Sequence, residues 1–236
     1  MDNITQKSYD SLAKLYDEKN SSSLANFYYD RPAIISLLPN DLQNKIIVDA
    51  GCGSGLLSQY LEEKGSEVIA FDYSHGLINI AKTRLNTSNI RVANLEDKLE
   101  FIEKNSVDII VSSLVLHYIE DWNPVFQEFY RILKKDGCFI YSIHHPHQDW
   151  YWFSLQNYFQ KVLCEDTWNI DGKKFTVQVY HRTLMEVFEV IHESGFYVEK
   201  LLEPAPLPEG KNVDPRFYES LTTKPRFLFF RLKKLL

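Results

Sequence analysis

The stretch VDAGCGSGLL, residues 48–57, places three glycines within five positions, directly after a short apolar run that ends in the acid Asp49. The whole chain of 236 residues contains only nine glycines, so their concentration here needs a reason. Glycine adopts backbone turns that other residues resist, and it lets a ligand approach the main chain closely. A glycine-rich turn between a strand and a helix is typical of a ligand-binding loop, because backbone N–H groups and the helix dipole converge there.

Segments of two kinds alternate along the chain from residue 46 onward. Short apolar runs rich in β-branched residues predict five strands: KIIVDA, EVIAFD, NIRVAN, VDIIVSS and GCFIYSIHH. Helical spacing lies between them over residues 55–64, 75–86 and 122–134, and the short stretch 95–104 predicts at most a partial helix. Strands that alternate with helices need crossover connections, which give a parallel sheet with helices on both faces.

The alternation breaks after the fifth strand, where residues 146–182 form an insertion rich in Trp, Tyr and Phe. Within it, TWNIDGKKFTVQVYH predicts a hairpin that turns at Asp171-Gly172. A helix follows near 183–194, and two further strands near 197–202 and 226–232 are expected to close the sheet. The Pro-rich segment 203–217 is too long for a tight hairpin and could drape over a site. We interpret the basic C-terminal RFLFFRLKKLL as a closing strand with solvated ends.

Composition excludes several classes of function. The formal charge of −6 provides no overall basic field for nucleic acid. The N-terminus lacks the layout of a signal peptide, and no apolar run approaches the roughly 20 residues that span a bilayer. The three cysteines, Cys52, Cys138 and Cys164, are odd in number and far apart, which favours a reducing, cytoplasmic location.

The glycine loop departs from two familiar nucleotide-binding motifs. The dinucleotide fingerprint requires a glycine at position 56, where the chain has Leu56, and no Gly-Lys-Ser/Thr sequence is present for a P-loop. The pattern is instead acid-x-G-x-G-x-G, followed one βα unit later by Asp72 at the end of the next strand. A carboxylate at that place can accept both hydroxyls of a ribose. A tight turn without a ligand would explain one glycine, but not three glycines with two placed acids.

These features resemble the class I S-adenosylmethionine-dependent methyltransferases, specifically the small-molecule branch related to the quinone-biosynthesis methyltransferases. VDAGCGSG matches the first motif of that family, and SLVLHYIEDW with RILKKDGCFIYSIHHP resembles its later motifs. The resemblance covers about residues 9–145 and, less sharply, 181–236. It implies S-adenosylmethionine as cofactor and S-adenosylhomocysteine as product.

We therefore expect one domain over residues 1–236 with a Rossmann-like sheet of seven mostly parallel strands and helices on both faces. Its expected parts are an N-terminal helical cover (1–38), a cofactor-binding core (39–145), an aromatic substrate cap inserted after the fifth strand (146–182) and the remainder of the core (183–236).

The predicted cofactor contacts follow from positions that match the family. In chain order they are Tyr16, Arg31, Asp49, Gly51, Gly53, Gly55, Asp72, Tyr73, Asn94, Leu95 and Ser112. Asp72 would hold the ribose and Tyr73 would lie against the adenine. Asn94 stands where the family commonly has an acid, although its side-chain oxygen can still accept a hydrogen bond. Arg31 offers a fork suited to the methionine carboxylate, but a surface arginine before a helix is an equal alternative.

Methyl transfer from a sulfonium is a direct displacement, so the protein chiefly aligns the reactants in a dry pocket. A general base helps where the acceptor is protonated. The candidate bases are His145, His144 and His117, which follow the fifth and fourth strands, with His145 first; each could also be a structural hydrogen-bonding residue. HPHQDW contains part of a binuclear metal motif, but Trp150 stands where the next histidine is required, so no metal is expected.

The aromatic insertion and the segment 203–217 are expected at the same sheet edge as the cofactor, where they would form an apolar pocket. The predicted acceptor contacts are Tyr151, Trp152, Tyr180, His181 and Arg182, although the aromatic residues could form only a satellite core. The acceptor would be a small, partly apolar or aromatic molecule methylated on oxygen or nitrogen, and the enzyme a monomer or homodimer with neither nucleic-acid nor membrane partners. A tRNA or protein methyltransferase, a non-catalytic S-adenosylmethionine-binding protein and a nicotinamide oxidoreductase remain alternatives.

Overall fold

The computed structural model describes residues 4–235, which form an α/β structure around one large sheet. The strands in chain order are β1 (Ile46–Ala50), β2 (Glu67–Asp72), β3 (Ile90–Val92), β4 (Val107–Ser113), β5 (Leu133–His144), β6 (Val162–Ile170), β7 (Lys173–His181), β8 (Phe196–Leu202) and β9 (Phe227–Lys234). The helices are α1 (Ile4–Asn20), α2 (Arg31–Leu37), α3 (Leu56–Glu63), α4 (His75–Arg84), α5 (Asn123–Ile132), α6 (Pro146–Trp152), α7 (Leu184–Glu193) and α8 (Pro215–Thr223). Each of the five apolar runs forms one of the strands β1 to β5.

Seven strands pair in the order β3-β2-β1-β4-β5-β9-β8, which confirms the predicted mostly parallel sheet. Only β9 runs antiparallel to its neighbours, β5 and β8. The chain moves outward from β1 through β2 to β3 and then crosses back to β4, so the order reverses between β1 and β4. Loops diverge at such a point and leave a crevice at the carboxyl ends of the strands, where open α/β sheets bind ligands.

Both faces of the sheet are buried, as the continuous apolar strands predict. In β5, Phe139 and Tyr141 pack into the core on one face, whereas Cys138 and Ile140 pack into the core on the other. This alternation gives each residue of the strand an apolar environment, because successive side chains of a strand point to opposite faces.

The aromatic insertion begins with α6 and continues as the predicted two-stranded hairpin of β6 and β7. The hairpin turns at Asp171 and Gly172, whose φ values of +50° and +82° suit a tight turn of the primed type. The expected partial helix over 95–104 is wrong, since these residues form turns. Arg131 holds the turns by donating to the carbonyl oxygens of Leu99 and Ile102 at 3.1 and 3.0 Å.

The helical cover predicted over 1–38 consists, within the described residues, of α1 and α2 with a π-helical turn at Asn26–Asp30 before α2. The segment 203–217 contains a short 3₁₀ helix, Pro208–Asn212, and leads into α8. Between residues 4 and 235, no helix combines the length and the apolar character that crossing a bilayer requires.

Candidate active site

A cavity of about 730 Å³ lies at the carboxyl ends of the central strands, on the switch point of the sheet. This volume falls within the range of sites for small molecules and cofactors. Two groups of residues line it. The cofactor half comprises the glycine loop with Asp49, Asp72 and residues 93–96, and the acceptor half comprises His117, Tyr118, His144, Trp152, Trp168, Val213, Phe217, Arg226 and Phe227.

The three glycines of the loop all have positive φ, at +82° for Gly51, +56° for Gly53 and +83° for Gly55. A Cβ on Gly51 would clash with the side chain of Val115, and a Cβ on Gly55 would lie 3.1 Å from Cδ1 of Leu85. A Cβ on Gly53 would meet nothing within 4 Å, because this residue borders the cavity. Two of the glycines therefore permit close packing, and the third opens the backbone to a ligand.

Asp49 and Asp72, at the ends of β1 and β2, are held by hydrogen bonds beside the loop. Asp72 accepts from the backbone N–H groups of Gly53 and Ser74 at 2.9 and 2.8 Å. Asp49 accepts from the hydroxyl of Ser58 at 2.5 Å. Burial raises the pKa of Asp49 to about 7 and raises the pKa of Asp72 above its ordinary value. Both side chains border the cavity and are fixed in position before any ligand arrives.

Arg31 borders the same half of the cavity. Among residues 4–235, no carboxylate lies within 4 Å of its guanidinium. The preceding Asp30 is buried and accepts hydrogen bonds from Ser113 and Ser142. Burial raises the pKa of Asp30 to about 6 and lowers the pKa of Arg31.

The acceptor half contains a stacked pair of imidazoles. The ring centroids of His117 and His144 are 4.0 Å apart, and the ring planes differ by 16°. Nδ1 of His144 lies 3.1 Å from Oδ1 of the buried Asp149, which leaves Nε2 for a ligand. His117 is buried, and neither of its ring nitrogens has a hydrogen-bond partner within the described chain. Burial lowers the pKa of His117 well below its ordinary value, so this imidazole is neutral at neutral pH.

Helix α1 covers the cavity. It forms hydrogen bonds with β7 on one side, and a hydrogen bond and an ion pair with α4 on the other. On one side, Thr5 and Ser8 accept from backbone N–H groups of β7 at 2.9 and 3.2 Å. On the other, Asp10 accepts from the N–H of Gly76 at 3.0 Å, and Asp17 forms a bidentate ion pair with Arg84 at 3.0 and 2.9 Å. Further in, the hydroxyls of Tyr9 and Tyr118 are 2.8 Å apart.

Comparison with known proteins shows which family of proteins has this sheet and glycine loop. A family model described as a methyltransferase domain matches residues 48–141, which run from the end of β1 into β5. The crystal structure of a Listeria monocytogenes protein described as an S-adenosylmethionine-dependent methyltransferase superposes with a TM-score of 0.73 at 28% identity, over 88% of this chain and 97% of that one. The chain is a class I S-adenosylmethionine-dependent methyltransferase. Its cofactor is S-adenosylmethionine.

Two relatives extend the comparison beyond the matched domain. A Haemophilus influenzae protein, described only as uncharacterized, is 27% identical over 96% of this chain and 95% of its own length. The mitochondrial arginine-hydroxylase of Dictyostelium discoideum is 31% identical, but the match covers 54% of this chain and 33% of that protein. The sequence match to the first relative extends over nearly the whole chain, whereas the match to the second covers about half of it.

The residues of the methyltransferase fit its cofactor. The buried atoms Asn20 Oδ1 and Ser54 Oγ border the cavity and lack hydrogen-bond partners within the described chain. The guanidinium of Arg31 is available to a carboxylate, and Gly53 leaves room for a ligand against the backbone. The site therefore offers a cation for the methionine carboxylate and buried acids for amino and hydroxyl groups.

Most of the predicted cofactor residues border the cavity, namely Tyr16, Arg31, Asp49, Gly51, Gly53, Asp72, Tyr73, Asn94 and Leu95. Gly55 and Ser112 do not. Gly55 is the N-cap of α3 and packs on α4 and Leu85, while the hydroxyl of Ser112 donates to the carbonyl oxygen of Ala50 at 2.9 Å. The neighbouring Ser113 borders the cavity instead, because successive residues of β4 point to opposite faces.

Of the three histidines predicted as bases, the structure brings His117 and His144 to the cavity but not His145. Nε2 of His145 lies 3.0 Å from Glu203, and its Nδ1 accepts from the backbone N–H of His147 at 3.1 Å. Both nitrogens of this ring therefore already have partners, and the contact of Nδ1 caps the start of α6. Burial lowers the pKa of His145.

Of the predicted acceptor contacts, only Trp152 borders the cavity. Tyr151 is exposed beneath Lys224, and the hydroxyl of Tyr180 lies 3.3 Å from Glu120. His181 is buried with Nε2 2.8 Å from the carbonyl oxygen of Tyr158. Arg182 is buried against Trp122, donates to backbone carbonyl oxygens and has its pKa lowered to about 10 by burial. Tyr180 and Arg182 thus connect the insertion to the core, whereas the contact of His181 lies within the insertion.

Sequence reasoning missed Asp30, Asp149, Trp168 and Arg226 as residues of this site. Asp30 stands directly before Arg31 in YYDRP. This position is the one sequence feature that could have indicated that Asp30 belongs to the site. The expectation of solvated ends for the last strand is wrong at Arg226, since this residue is half-buried at the cavity and its pKa is lowered by burial.

Proposed function

We propose that this methyltransferase transfers the methyl group of S-adenosylmethionine to an oxygen or nitrogen atom of a small, partly apolar or aromatic molecule. The observation that carries the proposal is the continuity of one cavity from the glycine loop to the stacked histidines and the aromatic wall. A covered cavity with aromatic walls and a few polar groups suits a small molecule better than a polymer. We also propose a single domain in the small-molecule branch of the family. The three unpaired, buried cysteines support a reducing cytoplasm as its location.

We assign the cofactor half as follows. Asp72 accepts the ribose hydroxyls, Asn94 and Leu95 receive the adenine edge, and Arg31 binds the methionine carboxylate. Support comes from the placement of all four residues on the cavity wall and from the absence of an ion-pair partner for Arg31 among residues 4–235. An arginine fork matches a carboxylate with two parallel hydrogen bonds.

The cofactor supplies a methyl group on a positively charged sulfur. The protein holds the acceptor in line with that group and excludes water from it. We propose His144 as the general base, in place of His145. Asp149 fixes its ring through Nδ1, and Nε2 then takes the proton of an O–H or N–H acceptor. The neutral, unpaired His117 hydrogen-bonds the acceptor beside it.

The experiment that tests the proposal supplies deuterium-labelled S-adenosylmethionine to the pure enzyme together with a fractionated host extract. Mass spectrometry then searches the small-molecule, RNA and protein fractions for labelled methyl groups. The Asp72→Asn variant is the matched control, because it keeps the shape of the side chain and weakens the proposed ribose contact. Label in one small molecule, reduced with the variant at a cofactor concentration below the Kd, is the expected result. Label confined to RNA or protein would contradict the proposed acceptor class.

A further inference from the structure

Two guanidinium groups border the cavity, those of Arg31 and Arg226, and neither has a carboxylate within 4 Å among residues 4–235. Arg31 lies in the electrostatic field of Asp49, in the cofactor half. Arg226 lies directly before β9 in the acceptor half, where its charge acts on His117. The cofactor has one carboxylate, which can form an ion pair with one of these two guanidinium groups. The second cation needs a different ligand.

The guanidinium of Arg226 is held in a defined orientation. The backbone carbonyl of Arg226 accepts from the N–H of His145 at 3.0 Å, which fixes the chain at the end of β5. The guanidinium lies over the ring of Trp152 at 5.0 Å from its centroid. With the amide of Gln148 turned to donate to the carbonyl oxygen of Pro225, its oxygen accepts from Nη1 of Arg226 at 3.2 Å. A guanidinium has five N–H donors, so most of the fork is left for a ligand.

The nearby acids are engaged elsewhere. Asp149 and Asp166 both act electrostatically on Arg226. Asp149 is bonded to His144, and Asp166 accepts from the indole N–H of Trp168 at 2.7 Å. A half-buried cation without a direct ion-pair partner carries a desolvation cost, and a ligand anion would relieve that cost. With two aspartates in the same field, a single negative charge suits this place better than a phosphate dianion.

We infer that Arg226 binds a carboxylate of the methyl acceptor, and that the acceptor is a small aromatic or apolar carboxylic acid. Trp152, Trp168 and Phe227 would contact its apolar body. The carboxylate is a recognition group, and the methylated oxygen or nitrogen lies at another position, beside His117 and His144. The inference rests on the proposed function and names the substrate class of the same site.

The test measures binding by calorimetry to enzyme saturated with S-adenosylhomocysteine. The probes are acids paired with their primary amides: para-hydroxybenzoate with para-hydroxybenzamide, and indoleacetate with indoleacetamide. Phenyl phosphate is added as a dianion. We expect at least one acid to bind the wild type about tenfold or more tightly than its amide, as a charge-assisted hydrogen bond to arginine provides. Arg226→Gln should abolish that preference and leave S-adenosylhomocysteine binding unchanged, whereas Arg226→Lys should retain part of it.

The matched control is Arg216→Gln, which removes an exposed arginine from α8 that does not border the cavity. This variant should keep the full preference for acids. Equal binding of acids and amides, no acid bound at millimolar concentration, or tighter binding of phenyl phosphate than of the acids would overturn the inference while S-adenosylhomocysteine still binds. Failure of wild-type enzyme to bind S-adenosylhomocysteine would instead overturn the proposed function.

Discussion

The two halves of the cavity are built in different ways. The cofactor half is built around one contiguous loop, from Gly51 to Ser54, with an acid at the end of the neighbouring strand. The acceptor half is made of side chains that arrive from six separate segments between residues 117 and 227. A ligand common to a whole family can be bound by a short local motif. An acceptor specific to one enzyme is bound by residues that only the complete fold brings together.

The halves also differ in charge. Asp49 and Asp72 border the cofactor half and have pKa values raised by burial. The acceptor half has two imidazoles and Arg226 on its wall. The first half therefore provides acceptors for hydroxyl and amino groups beside the guanidinium of Arg31, while the second provides the guanidinium of Arg226 and a neutral histidine.

The largest effect is expected in the acceptor half. His144→Gln should lower kcat at least about a hundredfold, because a positioned general base contributes about 10² to 10⁴ in rate. Binding of S-adenosylhomocysteine should not change. The measurement is turnover of the acceptor found by isotopic labelling, with the exposed His192→Gln as control. Wild-type turnover across the pH range would remove His144 from the mechanism.

The next effect concerns the buried acid of the cofactor half. The pKa of Asp49 is about 7 when folded, against 3.8 ordinarily. The folded state thus binds the extra proton, and the stability that this proton provides is present below about pH 4 and lost as the pH rises through 7. Asp49→Asn should therefore raise the free energy of unfolding at about pH 8 by up to about 4 kcal/mol.

This effect of Asp49→Asn is measured by urea unfolding of the cofactor-free protein at about pH 5 and about pH 8. The exposed Asp136→Asn is the control and should follow the wild type at both pH values. Equal stabilisation at both pH values would show that Asp49 does not titrate in this range.

Asp72→Asn tests the ribose contact. Its Kd for S-adenosylhomocysteine should rise at least tenfold, because hydrogen bonds to a charged group contribute about 1.5–3 kcal/mol each. Calorimetry measures the affinity, and the exposed Asp97→Asn, close to Asn94 in the chain, serves as control. Unchanged affinity would contradict the placement of the ribose.

The smallest effect compares one glycine from the cofactor loop with one from the hairpin. Gly53 and Gly172 both have positive φ and open space where a Cβ would stand. Gly53→Ala and Gly172→Ala should each lower the free energy of unfolding by about 1 kcal/mol, the cost of a left-handed conformation for alanine. Only Gly53→Ala should also weaken S-adenosylhomocysteine binding, since only Gly53 borders the cavity. Equal affinities of the two variants would show that the ligand does not approach this backbone.

Local sequence predicted the parts of the molecule that depend on local geometry. The glycine loop, Asp72 and the Asp171-Gly172 turn each follow from the backbone conformation that their residues permit. The hairpin residues that reach the cavity could not be predicted in this way. Side chains alternate along β6 and β7, and Trp168 borders the cavity whereas Tyr180 does not. Which face of the hairpin borders the cavity depends on how the hairpin packs against α1. That packing joins residues that are far apart in the chain.

The placement of α1 has a thermodynamic consequence for the two ligands. Tyr9 and Tyr16 of this helix border the cavity, and the helix is bonded both to β7 of the insertion and to α4 of the core. One helix thus borders both halves of the cavity. Any factor by which the cofactor changes the affinity for the acceptor must equal the factor by which the acceptor changes the affinity for the cofactor.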